Sequence, residues 1–280
     1  ESVRGTLRTV RVVGQLLGDG SLEFADRSFT VANLKPLEEW IKELQTYGAQ
    51  GSPKGQPLWG LSQVQFTAVF TALSLPVEIE PEGMRLVEVL PKLPLPAAHP
   101  VRMHSTADAW LATRAPGPVE NRLEGLSCGT VLSIVLAEAG LGFYPVRTPD
   151  GKIELSIEPR RPGVMVWPTG WDVPEGKTGG DVAPALYKFV EIGFENAAIQ
   201  DVLDAAGAAI EVPFLVDDAA VRDTGVNLAE QKVSYPPKRT SWSLMLNSVI
   251  RKANLIKEVR IDEQGKPFLF IHPFVPTRVE

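Results

Sequence analysis

The sequence predicts an α+β protein in which two related βαββαββ modules follow a smaller α/β N-terminal region. Three features support this fold class: an ungapped internal repeat, alternating strand and helix periodicity within each copy, and a Pro/Gly-rich segment between the copies. With 280 residues, 44% of them hydrophobic, the chain is long enough to bury several cores. We therefore predict an N-terminal region at 1–75, a first module at 76–159, a linker at 160–184 and a second module at 185–280.

The internal repeat aligns residues 127–159 with residues 241–273 without a gap. Identical residues recur on the apolar face of a predicted helix, at a turn glycine and along one face of a strand, where a shared fold constrains the sequence most. Among the identical pairs are Ser127/Ser241, Leu132/Leu246, Val135/Val249, Gly151/Gly265, Leu155/Leu269 and Ile157/Ile271. Upstream, after a slip of one residue, Val77–Ile79 matches Val190–Ile192. The chain therefore contains a duplicated unit.

The second copy shows the element order directly. Asn196 is predicted to cap one helix and Ser241 another, whose apolar positions include Met245, Leu246, Val249 and Ile250. The predicted strands lie near Tyr187–Gly193, Val212–Val216 and Lys232–Tyr235, and a closing hairpin pairs Ile256–Asp262 with Pro267–His272. The first copy repeats this order from Pro76 to Pro159, with one strand at Val119–Leu123 and a hairpin turn at Asp150-Gly151.

The N-terminal region and the linker have their own patterns. Strands are predicted at Arg8–Val13 and Leu22–Phe24, and one helix carries Leu37, Trp40, Ile41 and Leu44. A second helix begins after Ser62. The linker contains Trp167 and Trp171, and we expect at least one of these indoles to pack between the modules, because free indoles leave apolar area exposed.

The segment Phe194–Leu203, the strand ending at Asp217 and the helix from Ser241 to Asn254 resemble the short N-terminal domain of secretins and TonB-dependent receptors. The resemblance covers about 180–273, extends more weakly to 77–159 and leaves out 1–75. It implies a module of the bacterial envelope that works by protein–protein contact and has no catalytic residues or cofactor. Tandem modules of this kind also occur in long envelope proteins of unknown role. The partner is not specified, because no secretin barrel or receptor follows in the sequence.

Composition narrows the classes of partner. The net charge of −6 provides no basic surplus for binding nucleic acid, and no apolar run is long enough to span a membrane. A single cysteine, Cys128, excludes a disulfide framework and a multi-cysteine zinc site. The chain begins at Glu1 instead of methionine. We expect a removed signal peptide and a periplasmic or otherwise extracytoplasmic location.

An esterase-like serine hydrolase is the alternative function. Gly125–Gly129 matches the G-x-S-x-G nucleophile motif, and Ser127 with Asp217 and His272 would supply a catalytic triad in the chain order of that fold. Against this interpretation, Ser127 aligns with Ser241, which lacks the motif, and both serines suit helix N-caps. The preceding strand alternates polar and apolar residues, unlike the buried strands before hydrolase nucleophiles.

Other chemical motifs are weaker. His99 and His104 are five positions apart and point to opposite faces of an extended segment, so they cannot share a metal ion. Gly176-Lys177-Thr178 resembles the end of a phosphate loop, but Trp171 stands where that loop requires its first glycine. Cys128 aligns with Trp242 and is interpreted as a packing residue. We predict no metal site and no cofactor.

The closing strand of the second copy is the predicted partner-binding element. Phe268 and Phe270 give it apolar residues on both faces, and an open strand edge can accept a strand from a protein partner or from a second copy of the chain. The alternative is that the N-terminal region or the Trp-containing linker covers both residues.

Overall fold

The computed structural model describes residues 2–274 apart from positions 5–6, 10, 19, 25–27, 31–33, 48–57, 115, 149–151 and 162–163. The predicted α+β class is confirmed. The chain forms two compact units. The first comprises residues 1–72, 96–102 and 144–156, and the second comprises 73–95, 103–143 and 157–280.

The described residues of the N-terminal part form two small antiparallel sheets and two α-helices. The first sheet pairs β1 (Ser2–Arg4) with β2 (Leu7–Thr9), and the second joins β3 (Gln15–Leu16), β4 (Ser21–Glu23) and β5 (Ser28–Thr30). The helices are α1 (Lys35–Tyr47) and α2 (Gln63–Leu73). Both predicted helices are confirmed. The strand predicted over Arg8–Val13 is shorter, because residues 11–14 have no regular structure.

Aromatic packing and a capping box stabilise these elements. The ring of Trp40 on α1 stacks on Phe29 at 5.3 Å between centroids and meets Phe24 edge-on at 4.7 Å. Ser62 caps α2 as predicted. Its hydroxyl accepts from the amide of Gln65, and the Gln65 side chain accepts from the Ser62 amide.

Where the structure describes it, the segment from residue 76 to residue 159 contains three α-helices and three strands. In order these are α3 (Leu86–Val89), β6 (Val101–Met103), α4 (Ser105–Ala112), α5 (Cys128–Glu138), β7 (Leu141–Arg147) and β8 (Ile153–Pro159). The strands form a sheet in the order β6-β8-β7. Helix α5 is buried from Cys128 to Ala137 without an exposed face, which is typical of a helix at the centre of a core.

The rest of the chain builds a four-stranded sheet, a two-stranded ribbon and four helices within the described residues. In order these are β9 (Trp171–Asp172), α6 (Gly179–Val182), β10 (Phe189–Ala198), α7 (Ile199–Ile210), β11 (Phe214–Val216), α8 (Asp218–Asp223), β12 (Lys232–Ser241), α9 (Trp242–Ile250), β13 (Leu255–Ile261) and β14 (Pro267–Pro273). The sheet order is β11-β14-β13-β9, and β10 pairs with β12 as an antiparallel ribbon.

Element boundaries match between the two aligned copies over their second halves. Helices α5 and α9 begin at aligned residues, Cys128 and Trp242, and strands β7 and β8 have the same aligned bounds as β13 and β14. When the upstream part of the alignment is shifted by one residue, β6 aligns with β11, and the first residue of α4 aligns with the first residue of α8. The sheet order β6-β8-β7 matches β11-β14-β13, so the two copies share topology as well as sequence.

The copies differ in the ribbon. The ten-residue strands β10 and β12 correspond in the first copy to a single bridge between Pro76 and Ser127. The strand predicted at Val119–Leu123 is absent, and Val119 instead exchanges backbone hydrogen bonds with Gly83 and Met84. Prolines at positions 116 and 118 remove two amide donors from this segment, which disfavours strand pairing. The first copy therefore lacks the full βαββαββ order. The second copy has this order, with helix α8 added to it.

Helix α7 begins later than predicted. Its N-cap is Ala198, whereas Asn196 lies inside β10 with a φ of 50°. The register between β10 and β12 shifts at this point, and the Asn196 amide donates to the hydroxyl of Ser234. Asparagine tolerates left-handed backbone better than most residues, so it serves a bulge here and not a cap.

The predicted helical core positions are confirmed. Leu246, Val249 and Ile250 on α9 are buried, as are Leu132, Val135 and Leu136 on α5. No helix of the described part of the chain is long and apolar enough to cross a membrane.

Candidate functional site

The serine of the G-x-S-x-G motif lies at the start of α5 and is fully buried. Its hydroxyl donates to the carboxylate of Glu263 and accepts from the Glu263 amide at 3.2 Å. The backbone amide of Ser127 donates to Asp262 Oδ2 at 2.9 Å. Both acidic residues belong to the turn between β13 and β14. The hairpin of the second copy thus supplies carboxylates to the helix start of the first.

The Glu263 carboxylate is surrounded by further donors. Thr130 donates to Oε2 from its amide at 3.1 Å and from its hydroxyl at 2.9 Å. The indole Nε1 atoms of Trp167 and Trp171 donate to Oε1 at 2.7 and 3.2 Å. We call Ser127, Thr130, Trp167, Trp171 and Glu263 the carboxylate cage. It holds a buried charge through charge-assisted hydrogen bonds, as a buried carboxylate requires.

The linker takes part in this cage and is ordered around its two tryptophans, as predicted. The fully buried ring of Trp167 stacks on Phe143 at 5.7 Å, and its amide donates to the Phe143 carbonyl at 2.6 Å. Its own carbonyl accepts from the hydroxyl of Ser133 on α5 at 3.0 Å. Trp167 therefore packs between residues of both copies.

The motif glycines have packing roles at this site. A Cβ at position 129 would collide with the Glu263 carboxylate and crowd Trp167, so the close approach of the acid requires glycine there. Gly125 has a φ of 74°, in the left-handed region that favours glycine. The cage and the local backbone thus account for both glycines.

The residues of the alternative triad have separate partners. Asp217 caps α8 by accepting from the Ala220 amide at 3.2 Å. His272 lies 3.4 Å from a carboxylate oxygen of Glu258 and stacks on Phe270. No hydrogen bond joins Ser127, Asp217 and His272 in the described part of the chain. The hydroxyl of Ser127 donates to a carboxylate instead of an imidazole.

Cys128 follows Ser127 and is also fully buried. Burial raises the pKa of its thiol to about 12, and the negative charge of Glu263 adds to this shift. The thiol therefore stays protonated at neutral pH, which is the behaviour of a packing residue and not of a nucleophile.

A second polar cluster forms around the buried side chain of Asn121. Its Nδ2 donates to Asp218 Oδ2 at 2.8 Å, to the Val216 carbonyl at 3.0 Å and to Glu138 Oε1 at 3.1 Å. Its Oδ1 accepts from the Val216 amide at 2.7 Å. Burial raises the pKa of both Glu138 and Asp218 to about 7. Repulsion by Glu120 adds to both shifts, and the charge of Asp218 also raises the pKa of Glu138. Sequence reasoning placed Asn121 in a strand and missed this cluster.

The prediction of an open edge at Phe268 and Phe270 is wrong. Their strand, β14, lies inside the sheet, because it pairs in parallel with β11 and antiparallel with β13. Phe268 is fully buried, and Phe270 is 6% exposed. Gly170 of the linker lies against the Phe268 ring, and the Arg260 guanidinium lies 4.5 Å from the Phe270 ring centre. The linker thus lies against Phe268, as the alternative interpretation held for it, whereas Arg260 of β13 lies over Phe270.

The ribbon of β10 and β12 has two open edges, since no further strand pairs with it among the described residues. On β12, Pro236 and Pro237 lack amide donors, and Lys238 follows them, so this edge is protected against pairing. On β10 the register first shifts after Ile192. The stretch Phe189–Ile192 is therefore the regular, unprotected part of the edge. The Phe189 side chain at its start is 62% exposed.

The remaining motifs form no site. His99 lies 3.3 Å from the Ile153 carbonyl, His104 bonds Thr106, and Thr178 pairs with Asp181 at the start of α6. The described residues contain no group of three or more His, Cys, Asp or Glu side chains that could hold a metal ion. A comparison of the chain with family models, with curated proteins and with solved structures finds no significant match.

Proposed function

We propose that the chain is a non-catalytic scaffold of the bacterial envelope that binds a protein partner, or a second copy of itself, along the edge of β10. The regular stretch Phe189–Ile192, which begins at the exposed Phe189, carries this proposal. An extended segment could pair with its free backbone groups, while Phe189 and the exposed ring of Tyr187 would contact apolar side chains of that segment. The envelope location rests on the resemblance to the secretin and TonB short N-terminal domain.

The carboxylate cage supports the non-catalytic part of the proposal. A nucleophilic serine needs a base that accepts its proton and an open position for the substrate. Ser127 is fully buried, and the acceptor of its proton is the carboxylate of Glu263, which also accepts from four other groups. In this proposal, the serine joins the two copies.

Replacing Phe189 by lysine tests the binding edge, since exposed lysines on edge strands disfavour pairing. Sedimentation velocity over a range of concentrations would measure self-association, and a purified partner identified from envelope extracts would be tested by direct titration. We expect Phe189→Lys to abolish the association. The matched control Val87→Lys, at a residue 69% exposed on α3, should leave it intact. Equal binding by both variants would refute the proposed edge.

Hydrolysis of a p-nitrophenyl ester tests the alternative. The scaffold proposal expects no turnover above that of denatured protein. Turnover by the folded protein that disappears in both Ser127→Ala and His272→Ala would establish the hydrolase and overturn the proposal.

A further inference from the structure

A cavity of about 400 Å³ opens beside the linker, and no residue of β10 lines it. Its volume lies in the range of sites for small ligands. The residues that matter for its chemistry are Arg160, Arg161, Val164, Val166, Asp217 and Arg260.

Three arginines line this cavity in a chain whose net charge is −6. Arg260 is fixed in place: it bonds the Glu258 carboxylate at 2.6 Å, donates to the Thr169 carbonyl at 2.9 Å and lies over the Phe270 ring. Glu258 therefore balances much of its charge. The positive character of the cavity depends on the two remaining arginines.

Arg160 and Arg161 are exposed, and neither side chain makes a hydrogen bond among the described residues. The Arg160 guanidinium is partly desolvated, which lowers its pKa, and the charge of Asp217 opposes this shift. One acid, Asp217, faces them across the cavity, and one of its oxygens is occupied by the helix cap of α8. Arg160 and Arg161 provide two guanidinium groups, whereas the cavity has one carboxylate, one oxygen of which already accepts a hydrogen bond. Some of the guanidinium N–H donors are therefore free. Such groups bind carboxylates and phosphates through paired N–H donors.

The floor of the cavity is apolar. Val164, which is 44% exposed, and the half-buried Val166 line it, whereas Trp167 and Phe270 lie behind them with little exposed surface. An inorganic ion would use the arginines alone and leave this floor in water. A ligand with an apolar body would cover the floor and gain the free energy of its burial.

We infer that this cavity binds a small organic anion, in which a carboxylate or phosphate is carried on an aromatic or apolar body. The anionic group contacts Arg160 and Arg161, and the body lies on Val164 and Val166. This site is separate from the proposed β10 edge, so either can fail without the other.

Isothermal titration with three probes tests the inference. Phenyl phosphate carries both parts of the ligand, inorganic phosphate carries the charge alone, and benzyl alcohol carries the ring alone. We expect phenyl phosphate to bind with a Kd at or below roughly 1 mM and at least about tenfold more tightly than either of the other probes.

The double variant Arg160→Gln/Arg161→Gln should weaken phenyl phosphate binding by about tenfold or more. Its folding is not at risk, because neither side chain makes a hydrogen bond, and a thermal melt would check this. The control Arg102→Gln/Arg122→Gln removes the same charge from two exposed arginines that pair with Glu154 and Glu82. It should bind as the unaltered protein does.

Three results would overturn the inference: no saturable binding of phenyl phosphate, equal affinity for inorganic phosphate, or an equal loss in the control variant. The second would show that the floor contributes nothing. The third would show that binding reflects net charge and not this cavity.

Discussion

Ser127 and Glu263 lie 136 positions apart in the chain, and the hydroxyl of the first donates to the buried carboxylate of the second. The same carboxylate accepts from Thr130 and from both linker tryptophans. One acid thus links the helix start of the first copy, the linker and the hairpin turn of the second copy. Its removal should therefore affect folding stability first.

Glu263→Gln should lower the free energy of unfolding by about 2–4 kcal/mol. The amide keeps the shape of the side chain, but its NH₂ group would face donors where an oxygen now accepts. Chemical denaturation measures the change. Glu175→Gln, at an exposed loop position, is the matched control and should change stability by less than about 0.5 kcal/mol. A similar small value for Glu263→Gln would mean that the cage does not stabilise the fold.

Stability should fall as the pH rises from about 4 to about 7 because of the Asn121 cluster. Burial raises the pKa of Glu138 and Asp218 to about 7 in the folded protein, whereas the ordinary values are 4.5 and 3.8. The folded state therefore holds more protons than the unfolded state in this window. Its extra stability is present at acidic pH and is lost as the pH passes the folded pKa.

Denaturant unfolding at pH 5 and pH 8 measures this effect. The protein should be more stable at pH 5, by on the order of 2 kcal/mol, if the remaining charges balance. Asp218→Asn removes one titrating group and should reduce the difference between the two pH values. Glu120, Asp217 and Arg222 also act on this cluster, so Glu120→Gln is a useful comparison with a smaller expected effect. An unchanged difference in Asp218→Asn would assign the pH dependence to other groups.

Val249→Ala should cost about 1–3 kcal/mol, because the side chain is fully buried on α9 and its loss leaves a cavity. Leu244→Ala on the same helix is the control, since Leu244 is 56% exposed. Urea denaturation of both variants separates the two faces of the helix. Equal costs would show that burial on α9 does not determine its contribution.

Cys128 should resist thiol reagents while the protein is folded. The thiol is fully buried, and its pKa of about 12 leaves almost no thiolate at pH 8. Reaction with Ellman's reagent should be slower by about 100-fold or more than in guanidinium chloride. Rapid labelling of the native protein would place the thiol at an accessible position and contradict the packing described above.

Local patterns predicted much of the fold. The hairpin of β13 and β14 was bounded to within one residue, because alternation along each strand and the Gln264-Gly265 turn act over short distances. The start of α9 followed from Ser241, whose hydroxyl accepts from the Leu244 amide. In each case the decisive interactions lie within a few residues of sequence.

Contacts between distant segments account for the failures. Asn196 is a residue type that often caps helices, but pairing of β10 with β12 extends the strand past it. Phe268 and Phe270 suggested an exposed face, although apolar residues on both faces also mark a strand with neighbours on either side and covered faces. The sequence does not say which segments provide that cover.

The carboxylate cage was not predicted from the sequence, since the position of Glu263 is that of an ordinary turn residue. One signal pointed toward it: two tryptophans in a linker need acceptors for their indole N–H groups when they are buried. Asp262 and Glu263, which follow an apolar strand, are candidates for this acceptor.

The two copies differ at this cage. In the alignment, Pro149 occupies the position of Glu263, so the first copy lacks a glutamate at this point of its hairpin. Ser241, the counterpart of Ser127, uses its hydroxyl to cap its own helix. The contact between the copies therefore runs in one direction, from the hairpin turn of the second to the helix start of the first, and the duplicated units are not interchangeable in it.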